Sequence, residues 1–419
     1  MLGYNIREVS AVKKAFCFLY GSLIVCCAAV LGGVGYFRYT LPERVSVARG
    51  QVFHVGTWVQ SEPLSDAGAV RTAAVGEQYR ARLSLAGLFP LKEVTVTVTE
   101  ERTVMVCGTP FGIKMYTDGV MVVGLSDVST AAGRVNPAAA AGVQVGDVIT
   151  AVNGETVTSS RRVSRLIKEC DGGRLTLRLR RDGVEFDASF IPVRPAAGSG
   201  YQAGMWIRDS AAGVGTLTFY DPATGAFGGL GHAVCDVDTG AVMPLGSGEV
   251  VPARIFGIVK GESGTPGELK GCFDPGVLGQ LEKNGEQGLY GTLTVYPVGA
   301  VCLPVASRQQ VHTGAAQILC TLNGTRPRYY DVTIEHVRQN SRNATRHMVV
   351  RVTDPDLLNL SGGIVQGMSG SPIIQDGKLV GAVTHVLVDD PARGYGVFAE
   401  TMLEMADKTI QTKAAQDAA

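Results

Sequence analysis

The chain has 419 residues, a length that suits two or three domains. Lys and Arg together number 38, as do Asp and Glu, so the formal net charge is zero. Such a balance gives no support to nucleic-acid binding, which needs a basic surface, and we expect no nucleic-acid partner. The 54 glycines are about twice the ordinary share, and many Val-, Thr- and Leu-rich segments alternate, which predicts a mainly β protein with tight turns.

Residues 15–37 form an apolar segment of 23 residues without a charge. A helix of this length reaches about 34 Å, enough to cross a hydrocarbon core of about 30 Å. Arg7, Lys13 and Lys14 precede it, which predicts a cytoplasmic tail at 1–14, a transmembrane anchor at 15–37 and an exported remainder. The alternative is a cleaved signal peptide, but the apolar run is longer than the usual signal core.

Residues 38–104 predict a small β-rich juxtamembrane region, because segments such as Leu91–Val98 alternate apolar and polar residues. No chemistry is assigned to this region. The cysteines number nine and include no Cys-x-x-Cys pair, which argues against a zinc ribbon or a redox site. We expect neither a metal nor a cofactor.

Residues 105–194 predict a separate α+β domain. The segment AGVQVGDVITAVNG at 141–154 precedes a helix that Ser159 or Ser160 would cap, with Val163 and Ile167 on one face. The segment closely resembles the middle of a PDZ domain. That resemblance implies an extended peptide or C-terminal ligand, its carboxylate held by loop amides; this loop would be Gly112, Ile113, Lys114 and Met115. The alternative is a PDZ fold that binds nothing and only positions the next domain.

His232 lies in the segment FGGLGHAVCD at 227–236. Its apolar and glycine neighbours predict a partly buried ring, which suits a general base that works near neutral pH. His385, in the alternating segment VTHV at 383–386, is the other candidate base, although the strand pattern favours a packed histidine there.

Ser369 lies in the segment GMSGSP at 367–372, which two apolar strands and an intervening Asp-Gly turn follow. Trypsin-type peptidases present their nucleophile in this way, and the amides of Gly367 and Ser369 would stabilise an oxyanion. His232 precedes Ser369 by 137 residues, the order found in chymotrypsin-like double β-barrels. The alternative is that the motif is only a hairpin turn.

The third member of a triad is left open by the residues themselves. Asp354 and Asp356 precede the serine in VTDPDLL at 352–358, but an Asp-Pro pair also begins ordinary turns. Asp236 and Asp238 lie close to His232 in sequence and are rivals.

The segments GLGH at 229–232, GGIVQGMSGSPIIQ at 362–375 and GAVTHV at 381–386 closely resemble the stage IV sporulation protein B peptidases of endospore formers. The resemblance runs from about residue 45 to about residue 405. It implies that Ser369 is the nucleophile, His232 the base and Asp354, fifteen residues before the serine, the third catalytic residue. It also implies a serine peptidase domain at 195–407, followed by a polar tail at 408–419.

By this resemblance the protein is a membrane-anchored, exported serine endopeptidase of sporulation signalling. Such a peptidase acts in the space between the two forespore membranes and cleaves itself. It also cleaves a membrane regulator of an intramembrane metalloprotease, so that a mother-cell sigma factor is activated. Two alternatives remain: a general envelope quality-control protease, and a catalytically silent PDZ scaffold.

Overall fold

The structure is a computed structural model that describes residues 20–22, 24, 25, 27, 28, 30–38, 41, 43–48, 59–64, 74–339, 341 and 343–418. The chain divides into two compact units, residues 1–102 and residues 103–419. Every residue that the sequence proposes for catalysis or peptide binding belongs to the second unit.

The first unit contains a four-stranded sheet. In spatial order its strands are β1 (Arg44–Ala48), β4 (Phe89–Thr99), β3 (Gln78–Leu85) and β2 (Val59–Pro63). β1 is parallel to β4, and the other neighbours are antiparallel. Alternation along β4 buries Val94, Val96 and Val98 on one face, which confirms the strand predicted at Leu91–Val98.

The predicted cytoplasmic tail and part of the predicted transmembrane segment, residues 15–19, 23, 26 and 29, lie outside the described residues. Residues 30–38 are helical. Within the portion of the chain that is described, no helix is both long enough and apolar enough to span a membrane.

Six strands of the second unit close into a first barrel, because the long strands β6 (Pro110–Leu125) and β13 (Met205–Tyr220) pair with each other. Phe111 and Phe227 fill its interior, with ring centroids 6.2 Å apart in an edge-to-face arrangement. Around the ring the strands are β6 (Pro110–Leu125), β15 (Leu245–Val259), β17 (Gly279–Gly285), β18 (Gly288–Leu293), β14 (Ala226–Gly229) and β13 (Met205–Tyr220). Outside the ring, β5 (Thr103–Val106), β16 (Glu268–Phe273) and β19 (Val301–Pro304) extend the sheet.

The PDZ module continues from the second half of β6. Its helix α2 begins where the Ser159 side chain accepts a hydrogen bond from the amide of Arg162 at 3.1 Å. As predicted, α2 buries Val163 and Ile167. The elements of the module are β7 (Val128–Thr130), β8 (Gly133–Val135), α1 (Pro137–Ala140), β9 (Val148–Val152), β10 (Glu155–Thr156), α2 (Ser160–Lys168), β11 (Leu175–Arg181) and β12 (Val184–Phe190).

A second closed barrel follows, after a 3₁₀ turn at Arg308–Gln310. Its interior is apolar and includes Ile318, Val350 and Ile373, all fully buried. The strands are, around the ring, β20 (Gly314–Cys320), β21 (Arg328–Val337), β22 (Met348–Val352), β25 (Asp390–Phe398), β24 (Lys378–Leu387) and β23 (Pro372–Gln375); the helices are α3 (Pro355–Ser361) and α4 (Ala399–Asp417). The predicted pair of chymotrypsin-like barrels is therefore present.

Two predicted boundaries need correction. Residues 110–117, assigned by sequence to the PDZ domain, form the half of β6 that belongs to the first barrel. Residues 408–417, predicted as a polar tail, continue helix α4 and bury Thr409. The PDZ module is thus inserted within the first barrel, between strands β6 and β13, instead of preceding the peptidase domain.

Candidate active site

Ser369 lies in a loop of the second barrel that the first barrel holds in place. The hydroxyl of Thr216 on β13 donates to the carbonyl of Gly367 at 2.9 Å, and that of Thr218 donates to the carbonyl of Gly370 at 2.7 Å. The amide of Thr216 also donates to the carbonyl of Ser369 at 3.1 Å. Sequence reasoning missed both threonines, although the alternation in GTLTFY at 215–220 places their hydroxyls on one face of a strand.

Glycine is required at position 370 of this loop. Its φ is +92°, and a Cβ there would lie 2.1 Å from the carbonyl oxygen of Thr216. Gly367 also has a positive φ, of +94°. These two positions explain why the sequence surrounds the serine with glycines.

The amides of Gly367 and Ser369, the predicted oxyanion donors, remain available. In the described part of the chain neither donates a hydrogen bond, whereas the amides of Gln366, Met368 and Gly370 all have backbone acceptors. Gly367 and Ser369 are only half-buried, so their two free amides beside one hydroxyl can reach an external acceptor, as an oxyanion site requires.

The Ser369 hydroxyl itself donates to the carbonyl oxygen of Thr384 on β24, at 2.8 Å. Thr384 also lies against the histidine segment, since a Cβ on Gly231 would be 2.9 Å from its methyl group. The serine and His232 are therefore brought to the same end of β24, one from each barrel.

His232 follows strand β14 and is half-buried. Its Nδ1 lies 2.8 Å from the carbonyl oxygen of Ala233. A carbonyl only accepts hydrogen bonds, so this contact places the proton on Nδ1 and leaves Nε2 as the basic nitrogen of the neutral ring. Burial lowers the pKa of His232, and the bond to Ala233 offsets part of that effect.

His385, the other candidate base, lies beside His232, with ring centroids 4.7 Å apart and planes tilted by 36°. Its side chain is exposed at the end of β24 instead of packed within the barrel. Desolvation, followed by the nearby charges of His232 and Arg346, lowers the pKa of His385 to about 4. The ring therefore stays neutral over the range in which a general base would act.

Three of the four acidic candidates have partners elsewhere, and the fourth, Asp356, is exposed in the first turn of helix α3. Asp354 caps helix α3 by accepting hydrogen bonds from the amides of Asp356 at 2.9 Å and Leu357 at 3.1 Å. Asp236 is buried and pairs with Arg208, which also binds the exposed Asp238 at 2.8 Å. Among the described residues, no hydrogen bond joins any of these carboxylates to a histidine of the site.

The predicted carboxylate-binding loop is wrong. Gly112, Ile113, Lys114 and Met115 lie in the middle of β6, which pairs with β13 on one edge and with β15 on the other. A Cβ on Gly112 would lie 2.6 Å from the side chains of Phe273 and Val251. This glycine serves barrel packing, and no edge of the strand is left for an added peptide.

Two family models match the chain. The model described as SpoIVB peptidase S55 matches residues 199–403, and the model of a PDZ domain matches residues 130–181. The first range includes His232 and Ser369, and the second includes α1 and α2. A search of curated proteins finds no match.

Among solved structures, the HtrA-type protease AlgW with a decapeptide is 13% identical, with a TM-score of 0.29 over 49% of this chain. The alignment spans only 55% of the AlgW chain. An inactive serine-to-alanine mutant of Rv3671c from M. tuberculosis is 15% identical, with a TM-score of 0.24 over 48% of this chain and 82% of its own. Likenesses this distant carry no inference about individual residues.

Proposed function

We propose that this protein, a PDZ-containing serine peptidase of the SpoIVB family, hydrolyses peptide bonds with Ser369 as nucleophile and His232 as general base. The observation that carries this proposal is the pair of unpaired amides at Gly367 and Ser369, which flank a hydroxyl in the loop where two barrels meet. An oxyanion site requires two such donors beside the nucleophile, and these amides meet that requirement.

The reaction begins when the Ser369 hydroxyl turns from the Thr384 carbonyl toward Nε2 of His232. The oxygen attacks the scissile carbonyl carbon while Nε2 takes its proton, and the amides of Gly367 and Ser369 donate to the resulting oxyanion. The imidazolium then gives its proton to the leaving amine. A water molecule, deprotonated by the same nitrogen, hydrolyses the acyl-enzyme and regenerates Ser369.

In this proposal the Ala233 carbonyl takes the orienting role that a carboxylate has in many triads. Its contact with Nδ1 at 2.8 Å fixes the tautomer of His232. A carbonyl dipole stabilises the imidazolium less than a full negative charge would. The proposed peptidase therefore works as a serine–histidine pair, with Asp354 as a structural residue.

The proposed biological role is supported by the family match and by the N-terminal apolar segment. The protein is proposed to be a single-pass membrane protein whose catalytic part faces the space between the forespore membranes. There it would cleave itself and a membrane-anchored regulator of an intramembrane metalloprotease, leading to activation of a mother-cell sigma factor. The PDZ module would bind a peptide or protein C-terminus.

Labelling by a fluorophosphonate tests the proposed nucleophile. The purified protein should be labelled, Ser369→Ala should not, and Ser371→Ala is the matched control. Ser371 has a buried hydroxyl in the same loop that donates to the Met368 carbonyl at 2.6 Å. Its loss should cost about 1 kcal/mol of stability and leave labelling intact. Labelling of the Ser369→Ala variant at the wild-type level would refute the proposal.

A further inference from the structure

His385 lies beside the proposed base but has no part in the proposed reaction. Its side chain is exposed at the end of β24, and its ring centroid lies 4.7 Å from that of His232. In the described part of the chain, the histidine nitrogens that form hydrogen bonds belong to His232 and His312. Both ring nitrogens of His385 are therefore without a hydrogen-bond partner among these residues.

The hydrogen bonding of His232 matches that of a metal ligand. Its Nδ1 proton is donated to the carbonyl oxygen of Ala233 at 2.8 Å, which leaves a lone pair on Nε2. Histidines that bind metal ions almost always donate the other ring N–H to a carboxylate, a backbone carbonyl or water, because this bond orients the ring and raises its basicity. The bond that prepares Nε2 as a base thus also prepares it as a ligand.

The separation of the two rings fits one shared metal ion. With Zn–N bonds of about 2.0–2.1 Å, two imidazoles on a tetrahedral zinc ion have ring centroids roughly 5 Å apart. The observed 4.7 Å is close to that value. Because the exposed ring of His385 makes no hydrogen bond that holds it, the ring can turn about its side-chain torsions to present a nitrogen to the ion.

The surroundings of the pair determine which ions suit it. Imidazole binds zinc, copper and nickel, whereas magnesium and calcium prefer oxygen ligands. The carboxylates of Asp236 and Asp238 are bound to Arg208, and Arg346 adds positive charge near His385. Among the described residues, no three His, Cys, Asp or Glu side chains form a metal site. Two protein ligands are fewer than the three or four of catalytic and structural zinc sites, so the ion would be a reversible ligand and not a resident cofactor.

From these observations we propose that His232 and His385 together bind a divalent transition-metal ion such as Zn²⁺, and that this ion inhibits the peptidase. The ion occupies the Nε2 lone pair that must take the proton of Ser369, so hydrolysis stops while the metal is bound. Removal of the metal by a chelator restores the base. This inference rests on the proposed function, because inhibition requires that His232 acts in hydrolysis.

Peptide hydrolysis by the full chain, measured during a titration with zinc chloride, tests the inhibition. Zinc should lower the wild-type rate at least tenfold, EDTA should restore it, and magnesium chloride at the same concentration should have no effect. At that zinc concentration His385→Gln should lose less than half of its own metal-free rate. His336→Gln, which removes an exposed histidine of β21, should be inhibited as strongly as the wild type. Equal inhibition of His385→Gln and the wild type, or no inhibition of the wild type, would overturn the proposal.

Metal binding is measured separately from catalysis, by competition with a zinc-chelating dye. The full chain carrying Ser369→Ala should bind one more zinc ion than the chain carrying both Ser369→Ala and His385→Gln. Equal zinc binding by these two chains would refute the metal site. If the metal-free wild-type chain does not hydrolyse peptides, the proposed function fails and the inhibitory role with it, while the dye competition still decides whether the histidine pair binds zinc.

Discussion

Asp354 is the residue for which family resemblance and structure predict opposite outcomes. The resemblance implies a catalytic acid, whereas the structure shows a carboxylate that caps α3 through the amides of Asp356 and Leu357 and accepts a longer bond from the amide of Asp331 at 3.3 Å. Replacement of Asp354 by alanine removes the cap, which typically costs about 1 kcal/mol and at most about 2 kcal/mol. Asparagine keeps an oxygen acceptor for the cap, so Asp354→Asn should lose only the favourable interaction between a negative charge and the helix N-terminus. That loss should lower the free energy of unfolding by about 0.3–1 kcal/mol.

The two interpretations of Asp354 differ far more in the activity that they predict than in the stability. If Asp354 only caps the helix, kcat/KM of Asp354→Asn should stay within about twofold of wild type. Loss of a true triad acid lowers kcat by about 10⁴, equivalent to about 5 kcal/mol of transition-state stabilisation. The assay is peptide hydrolysis together with urea unfolding, with Asp356→Asn as the control because this acid lies in the same helical turn and is exposed. A loss near 10⁴ in Asp354→Asn with an unchanged unfolding transition would refute the capping interpretation.

Three further expectations follow from the charged groups around the site. In the pH profile, kcat/KM should fall on the acid side only below about pH 6.5. The reason is that a general base must be unprotonated and that burial lowers the pKa of His232. A fall that begins above that pH would contradict the assignment of His232. His385 has a pKa of about 4 in the folded protein and about 6.5 in the unfolded chain, so the folded state loses stability as the pH falls from 6.5 to 4. His385→Gln should reduce this loss of unfolding free energy in urea titrations at several pH values. An unchanged pH dependence in the variant would contradict the assignment to His385. Arg208→Gln should lower the free energy of unfolding in urea by about 3 kcal/mol, because the fully buried Asp236 side chain loses its counter-ion. Asp238→Asn should lower it by less than about 1 kcal/mol. Equal losses in the two variants would be inconsistent with the buried pair.

Local sequence was sufficient for features that depend on a few neighbouring residues. The glycines around Ser369 predicted a sharp turn of the backbone, and the structure has such a turn, with positive φ at Gly367 and Gly370. The Ser159 cap and the spacing of Val163 and Ile167 predicted helix α2. In each case the information lies in backbone preference or in the period of apolar residues, and both are properties of a short segment.

The placement of β6 was decided only by tertiary structure. Its sequence, Pro110–Leu125, fits a PDZ loop followed by a strand, but the whole segment forms one strand that pairs with residues of β13 about a hundred positions later in the chain. That pairing puts Gly112 in the first barrel. The alternation of a strand indicates which face is buried, but it does not specify the partner on either edge.

The roles of the acidic residues were likewise a tertiary result. Asp354 precedes a proline in a pattern that fits a turn, a helix cap or a catalytic acid equally well, and Asp236 was a rival for the same catalytic role. What separated these roles was the set of partners: backbone amides for Asp354 and Arg208 for Asp236. A carboxylate has the same chemistry in each setting, and only the donors that the fold brings within hydrogen-bonding distance determine what it does.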